Sequence, residues 1–121
     1  MPKFVVEGGI SLNGEIRPAG NKNAALPMIA AALLTEEPVI LNNVPEIRDV
    51  KTLLDLMGTL GVQHEWVGAN RLRLHAAEVS ASELEAGMAA RIRASILLAG
   101  PMLARTGRMK LPPPGGDVIG R

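Results

Sequence analysis

Two stretches of this sequence, 70 residues apart, share one pattern, and this repeat constrains the fold more than any other feature. Residues 23–45 and 93–115 each run from a helix of small and aliphatic residues through a polar turn and a short strand to a loop that contains proline. Only three aligned positions hold the same residue, so the similarity lies mainly in the apolar pattern. Solenoid repeats are shorter, about 20 to 50 residues. The pattern predicts an α/β fold in which a larger βαβαββ-type unit recurs.

The core of such a fold has to be built almost without aromatic rings. Phe and Trp occur once each in 121 residues, whereas 47% of the residues are hydrophobic. Ala, Leu, Ile, Val and Met must therefore fill the interior, which suits helices packed closely on a sheet. A net charge of +1 and the scarcity of aromatic residues argue against nucleic-acid binding. No apolar stretch reaches the length of a membrane span, so we expect no membrane partner.

Several classes of site are excluded by residue type. The sequence has no cysteine, which removes disulfides, thiolate metal sites and thiol nucleophiles. His64 and His75 have no further ligand at metal-binding spacing, and the glycines of GGDVIG do not match a dinucleotide fingerprint, so we expect neither a metal nor a cofactor. The first residues, MPKFVVEGG, lack the apolar region of a signal peptide, which indicates a cytoplasmic protein.

Local patterns predict the order of helices and strands. Alternating residues indicate strands, with Gly68, Ala69 and Asn70 as a hairpin turn. Apolar residues at helical spacing indicate helices, Gly61 is the expected stop of the second, and Pro27 fits only near the first turn of its helix. The predicted strands are 3–7, 39–42, 62–67, 71–76 and 108–111, and the predicted helices are 23–34, 47–60 and 93–103, with Ser80 and Ser82 as caps of a short helical turn.

Polar residues at the starts of two predicted helices point to an anionic ligand. Lys22 and Asn23 stand at the start of the first helix of the repeat, and Arg93 begins the second. A helix N-terminus carries partial positive charge, so a cation there is unfavourable unless an anion neutralises it. We therefore interpret these three residues as parts of an anion site. Solvated charges, or an asparagine that caps the helix, are the alternative.

Three motifs carry a resemblance to a known family. AGNKNAALP, RASILLAGPMLAR and PGGDVIG occur in this order, with EEPVILNNVPEIRDV and LGV between them, and together they resemble the enolpyruvyl transferase family, in the branch that uses UDP-N-acetylglucosamine. The resemblance covers essentially the whole chain. It implies an inside-out α/β barrel of two domains, each assembled from repeated βαβαββ units.

The same resemblance implies a domain organisation. Residues 1–21 would form an opening hairpin that pairs with a second domain, and residues 22–121 would form an incomplete first domain. We therefore expect the chain to be the first part of a longer polypeptide and to be inactive alone, because it needs the missing second domain.

The resemblance also implies an activity. The enolpyruvyl group of phosphoenolpyruvate would be transferred to the 3′-hydroxyl of UDP-N-acetylglucosamine, with release of phosphate. This is the first committed step of peptidoglycan synthesis, so the reaction would serve cell wall biogenesis, cell shape, the cell cycle and cell division. The partners would be these two small-molecule substrates, with no cofactor.

Matched to the family's motifs, four residues receive roles. Lys22 and Asn23 would contact phosphoenolpyruvate, and Lys22 would also be catalytic by offsetting the charge of that substrate. Arg93 would contact UDP-N-acetylglucosamine. Asp117 stands where many relatives carry a reactive cysteine and would be the proton donor. An ordinary aspartate has a pKa of about 3.9, so desolvation or the charges of the substrate would have to raise it.

The loop around this aspartate carries two further expectations. Gly115 and Gly116 would be the pivots on which the loop closes over the substrates. An aspartate offers no thiol to the epoxide fosfomycin, so the resemblance implies insensitivity to that inhibitor.

Other interpretations stay open from the residues. Asp117 is also typical of a turn after two glycines. Asp49, Asp55, Arg48 and Lys51 resemble the solvated face of a helix, and Arg91, Arg105 and Arg108 resemble solvated charges. NNVP is either a turn or a ligand loop. The alternative functions are an enolpyruvyl-shikimate-phosphate synthase and a non-catalytic nucleotide-sugar-binding module.

Overall fold

A computed structural model describes residues 2–116 of the chain, and the predicted proton donor Asp117 lies outside the described residues. The helices are α1 (Lys22–Ala31), α2 (Arg48–Thr59), α3 (Ala86–Ala89) and α4 (Ala99–Thr106), with 3₁₀ segments at Ala32–Leu34 and Arg93–Leu98, and the strands are β1 (Val39–Leu41), β2 (Gln63–Gly68) and β3 (Arg71–His75). None of the helices in this described part is long and apolar enough to cross a bilayer.

The three strands form one antiparallel sheet in the order β1-β3-β2. Val39 lies opposite Leu74, and Trp66 lies opposite Leu72. Asn70 adopts a φ of 54° in the turn between β2 and β3, a conformation that asparagine tolerates better than most residues. The predicted hairpin is therefore confirmed, and its central strand β3 buries alternate residues against the helices.

The helices cover one face of this sheet. Helix α1 packs on α2 and on the segment Arg93–Leu98, while α2 contacts β2 and α4 contacts the segment Ala32–Leu34. The single tryptophan, Trp66, is only partly buried, so aliphatic residues and methionine fill the core, as the composition predicts. The largest fully buried side chains are Ile29, Leu33, Val50, Leu53, Leu54, Leu56, Met57, Leu60, Leu72, Leu74, Leu98 and Met102.

Proline divides the second helix of the repeat. The predicted helix over 93–103 is a 3₁₀ segment up to Leu98, followed by α4 from Ala99. Pro101 cannot donate the backbone hydrogen bond of an α-helix interior, and it is accommodated in the first turn of α4. Pro27, in contrast, is the sixth residue of α1 rather than part of its first turn, so α1 lacks one internal hydrogen bond there.

Two predicted strands are wrong for this chain. Residues 3–7 form no strand, and the side chains of Phe4, Val5 and Val6 are almost fully exposed, because nothing in the described chain covers them. Residues 108–111 contribute a single parallel bridge, between Lys110 and Glu83, rather than a strand. The prolines that follow have no N–H to extend this pairing. Pairing of residues 1–21 with a second domain stays a prediction.

The predicted helix caps also differ in detail. Asn21, not Asn23, caps α1, and its side-chain oxygen accepts a hydrogen bond from the Ala24 N–H at 3.1 Å. Helix α3 is capped by Glu85 rather than by Ser80 or Ser82. Both α1 and α3 are thus capped by the residue that directly precedes the helix, the usual Ncap position.

A partly buried arginine joins the two copies of the repeat. The guanidinium of Arg105, at the end of α4, donates from Nη1 to the carbonyls of Leu33 (2.8 Å) and Thr35 (3.1 Å). Its Nη2 donates to the carbonyls of Ala76 (2.6 Å) and Ala77 (3.1 Å). The side chain is only 15% exposed. The interpretation of Arg105 as a solvated charge is therefore wrong, since it holds α4 against the first copy.

Candidate functional site

A pocket of about 440 Å³ opens where three helical segments begin. Lys22 is the first residue of α1, Asp49 is the second residue of α2, and Arg93 begins the 3₁₀ segment. The residues that line the pocket are Lys22, Asn23, Leu26, Asp49, Arg91, Ile92, Arg93, Ala94, Ile96, Leu97 and Gly116. The structure therefore brings together Lys22, Asn23 and Arg93, three of the four residues singled out from separate sequence motifs.

The base of the pocket is held by buried residues. In α1, Leu26 and Ile29 are 7% and 0% exposed, so they anchor the helix in the core. The exposed residues of its first turn, Lys22 and Asn23, line the pocket. Beneath Arg93, the fully buried Ser95 hydroxyl lies 3.1 Å from the Ile92 carbonyl and 3.3 Å from the Ala89 carbonyl. The polar side chains of the pocket thus project from backbone that packing and hydrogen bonds define.

Lys22 forms an ion pair with Asp49. Its Nζ lies 3.0 Å from Oδ2 of Asp49, and the two side chains are 46% and 39% exposed. Asp49, predicted on the solvated face of its helix, is partly exposed but pairs with Lys22, whereas Asp55 on the same helix is exposed as predicted. No spacing signal could reveal this pair, because the packing of α1 on α2 creates the contact.

The pocket carries an excess of positive charge. Lys22, Arg91 and Arg93 line it together with one acid, Asp49. The N-termini of α1 and α2 add partial positive charge at the same place. Arg91 is exposed, as a solvated charge would be, but it also lines this pocket. Its sequence position does not predict this place, because the pocket forms only when the helices pack. The arrangement suits a ligand that bears phosphate or carboxylate groups.

Two glycines lead from the pocket to Asp117. The N–H of Gly115 donates to the Ala89 carbonyl at 3.3 Å, and a Cβ at residue 115 would lie 1.5 Å from the Ala90 oxygen. Gly116 has a φ of +83°, and a Cβ there would lie 2.9 Å from the Arg93 nitrogen. Close backbone approach therefore requires glycine at 115, while the predicted role of both residues as pivots of loop closure stays a prediction.

A second groove of the described chain contains none of Lys22, Asn23 and Arg93. A groove of about 510 Å³ is lined by residues that include Glu83, Glu85 and Lys110. Volume alone would favour this groove, but its charged side chains include an ion pair between Lys110 and Glu83 at 2.9 Å. Among residues 2–116, no three side chains of His, Cys, Asp or Glu come together in a way that could hold a metal ion.

Known proteins resemble this chain in sequence and in fold. Residues 6–121 match the protein family described as EPSP synthase (3-phosphoshikimate 1-carboxyvinyltransferase). A UDP-N-acetylglucosamine 1-carboxyvinyltransferase of Bradyrhizobium diazoefficiens is 59% identical over 119 residues, which are 98% of this chain and 28% of that protein. A protein of the same name from Treponema denticola is 53% identical over 121 residues, again 28% of its length. The chain thus spans a little more than a quarter of the curated relatives that it matches.

A solved structure has a similar fold. The enolpyruvyl transferase NikO from Streptomyces tendae aligns with 83% of this chain and 23% of its own, with a TM-score of 0.70 and 28% sequence identity. Together with the mixed helices and strands described above, this similarity confirms the predicted α/β fold of enolpyruvyl transferases over the part of the chain that it covers.

Proposed function

Because the chain belongs to the EPSP synthase (3-phosphoshikimate 1-carboxyvinyltransferase) family, we propose that it forms part of the active site of an enolpyruvyl transferase. The donor is phosphoenolpyruvate, the acceptor is the 3′-hydroxyl of UDP-N-acetylglucosamine, and phosphate is released. The chain acts as part of a longer polypeptide, in keeping with the 28% of its relatives' length that it spans.

One observation carries this proposal. Lys22, Asn23 and Arg93 come from motifs up to 71 positions apart in the sequence, and they line the same positively charged pocket. Lys22 and Asn23 contact phosphoenolpyruvate in the proposed complex, and Arg93 contacts UDP-N-acetylglucosamine. Both substrates carry phosphate groups, so a pocket with this charge favours them over neutral ligands.

The proposed chemistry assigns a task to each charged group. A proton is added to the methylene carbon of phosphoenolpyruvate, so the neighbouring carbon becomes electrophilic and the sugar hydroxyl, losing its proton, attacks it. Loss of phosphate and of a proton from the new methyl group then restores the double bond. Asp117, which directly follows the pocket residue Gly116, is proposed to donate the first proton. Lys22 offsets the negative charge of the donor.

The nature of the acceptor has a second candidate. The family description names 3-phosphoshikimate, whereas relatives that are 43% to 59% identical are named for UDP-N-acetylglucosamine. We infer the nucleotide sugar from these closer relatives. With that acceptor, the reaction contributes to cytoplasmic peptidoglycan synthesis and so to cell wall biogenesis, cell shape and cell division.

The test uses a polypeptide of the relatives' length that carries these 121 residues. Phosphate release from phosphoenolpyruvate is measured with UDP-N-acetylglucosamine and, separately, with 3-phosphoshikimate. We expect release with the nucleotide sugar and a loss of about 100-fold in Lys22→Met, because a group that offsets substrate charge is removed. Lys51→Met is the control, since Lys51 is an exposed lysine outside the pocket. Substrate binding without phosphate release would instead indicate a non-catalytic module.

The presence of an aspartate rather than a cysteine at residue 117 has its own test. We expect the unmodified transferase to retain activity in the presence of fosfomycin, because a carboxylate does not offer the thiol that this epoxide alkylates. Asp117→Cys should introduce covalent inactivation, which mass spectrometry of the intact protein detects as an adduct. Inactivation of the unmodified protein by a stoichiometric amount of fosfomycin would contradict this part of the proposal.

A further inference from the structure

We propose that Asp49 is a positioning residue for Lys22, and that its carboxylate holds the lysine ammonium at the pocket where the phosphoenolpyruvate anion binds. The inference deepens the proposed function and rests on it, because it assigns a role to the partner of a substrate-binding lysine. Asp49 lies in the segment EEPVILNNVPEIRDV, but the resemblance assigned it no role. The contact between its Oδ2 and the Lys22 Nζ, at 3.0 Å, points to one.

The backbone of Asp49 is well placed to act as an anchor. The next residue, Val50, is fully buried, and Leu53 one turn later is also fully buried. Asp49 therefore projects from a helix whose apolar face is fully buried, on a short side chain with few rotamers. Lys22 carries a long, flexible stem from an exposed helical turn, and such a side chain samples many conformations unless a partner selects one.

The charges around the pocket make this partner necessary. Lys22 lies at the positive end of α1, and Arg91 lines the same pocket. Both repel an ammonium group, and Asp49 is the one acid among the lining residues described above. Asp49 itself is favoured in the first turn of α2, where an acid meets the positive end of a helix. One carboxylate thus keeps Lys22 inside a pocket from which the other charges would drive it.

The exposure of the pair indicates what the contact is for. With side chains 46% and 39% exposed, the two charges are screened by water, and an ion pair of this kind contributes little to folding stability. Its effect lies in the location of the ammonium before the substrate arrives. A misplaced charge-stabilising group weakens catalysis even when the fold is intact.

The experiment compares Asp49→Asn with Asp55→Asn in the transferase-length polypeptide. Both variants remove one negative charge from α2, but Asp55 is exposed and does not line the pocket. For Asp49→Asn we expect the KM for phosphoenolpyruvate to rise about tenfold, with the KM for UDP-N-acetylglucosamine and the thermal midpoint unchanged. Asp49→Glu should restore part of the loss. An unchanged KM for phosphoenolpyruvate in Asp49→Asn would overturn the proposal, because Asp49 would then have no effect on substrate binding. A lower KM would also overturn it, because Asp49 would then compete with the substrate for Lys22.

A double-mutant cycle then tests whether Asp49 acts through Lys22. The affinity for phosphoenolpyruvate is measured by calorimetry in the unmodified protein, Asp49→Asn, Lys22→Met and the double variant. We expect Asp49→Asn to weaken binding in the presence of Lys22 and to have no further effect in the Lys22→Met background. An equal loss in both backgrounds would overturn the inference. If the unmodified protein binds phosphoenolpyruvate but releases no phosphate with either acceptor, the proposed function fails while this cycle still decides the role of Asp49.

Discussion

The two ends of helix α1 are built from opposite uses of a positive charge. At its start, Lys22 is about half exposed, pairs with Asp49 and borders the 440 Å³ pocket. Just after its end, the guanidinium of Arg105 is 15% exposed and makes four hydrogen bonds to main-chain carbonyls. Lys22 borders a pocket that a ligand can enter, whereas the guanidinium of Arg105 is occupied by hydrogen bonds within the protein.

Structural and functional cations in this fold can be told apart by their surroundings. A planar guanidinium can donate to several carbonyls at once in a fixed geometry, which suits a buried junction between two parts of a chain. A compact ammonium on a flexible stem suits an open site for an anion. Burial and the identity of the acceptors, rather than residue type alone, show which role a cation has.

The largest expected effect is at the arginine end. Arg105→Met should lower the free energy of unfolding by about 3 kcal/mol, because carbonyls at the junction lose a charged donor. Lys22→Met should change it by no more than about 0.5 kcal/mol, since its ion pair is largely solvated. Urea unfolding of the chain followed by the fluorescence of Trp66 measures both, with the exposed Arg108→Met as control. Equal losses in Arg105→Met and Lys22→Met would break the comparison.

We expect a smaller loss of stability from a substitution at Gly115, where the backbone packs tightly beside the pocket. Gly115→Ala places a Cβ 1.5 Å from the Ala90 oxygen, so the backbone has to move. We expect a loss of about 2 kcal/mol in the free energy of unfolding, together with lower transferase activity, because the neighbouring Gly116 lines the pocket. Gly100→Ala is the matched control, since a Cβ in that helical position meets nothing within 4 Å. A neutral Gly115→Ala would show that this contact is easily relaxed.

The smallest effect concerns a helix start that carries an acid instead of a cation. Hydrogen bonds from the N–H groups of Gly87 and Met88 lower the pKa of Glu85 below its ordinary value of 4.5. A lowered pKa in the folded state means that this cap stabilises the fold above pH 4.5 and that the contribution is lost as the pH falls through the folded-state pKa. Glu85→Gln should remove this part of the pH dependence.

The measurement for Glu85 is urea unfolding at a series of pH values from neutral to acid, for the unmodified chain and for Glu85→Gln. Glu83→Gln is the control, because Glu83 is a neighbouring acid that does not cap a helix. If the unmodified chain and Glu85→Gln lose stability in parallel below pH 4.5, the carboxylate of Glu85 does not act as a charged cap.

The parts of the fold that local patterns describe were predicted well. The apolar spacing of α2 and the turn at Asn70 each depend on neighbouring residues, and both are confirmed. The strands predicted at 3–7 and 108–111 are wrong for this chain, because an isolated alternating segment becomes a strand only when a partner completes its hydrogen bonds.

The candidate site divides in the same way. Local sequence signals identify Lys22, Asn23 and Arg93 as candidates, because these residues start helices or lie in motifs that resemble a family. The packing of the helices is needed to show that the three share one pocket, that Asp49 pairs with Lys22, and that Arg105 is partly buried. The physical reason is that helical period and capping act over a few residues, whereas ion pairs and buried guanidinium contacts join residues 27 or more positions apart and exist only once the helices have packed.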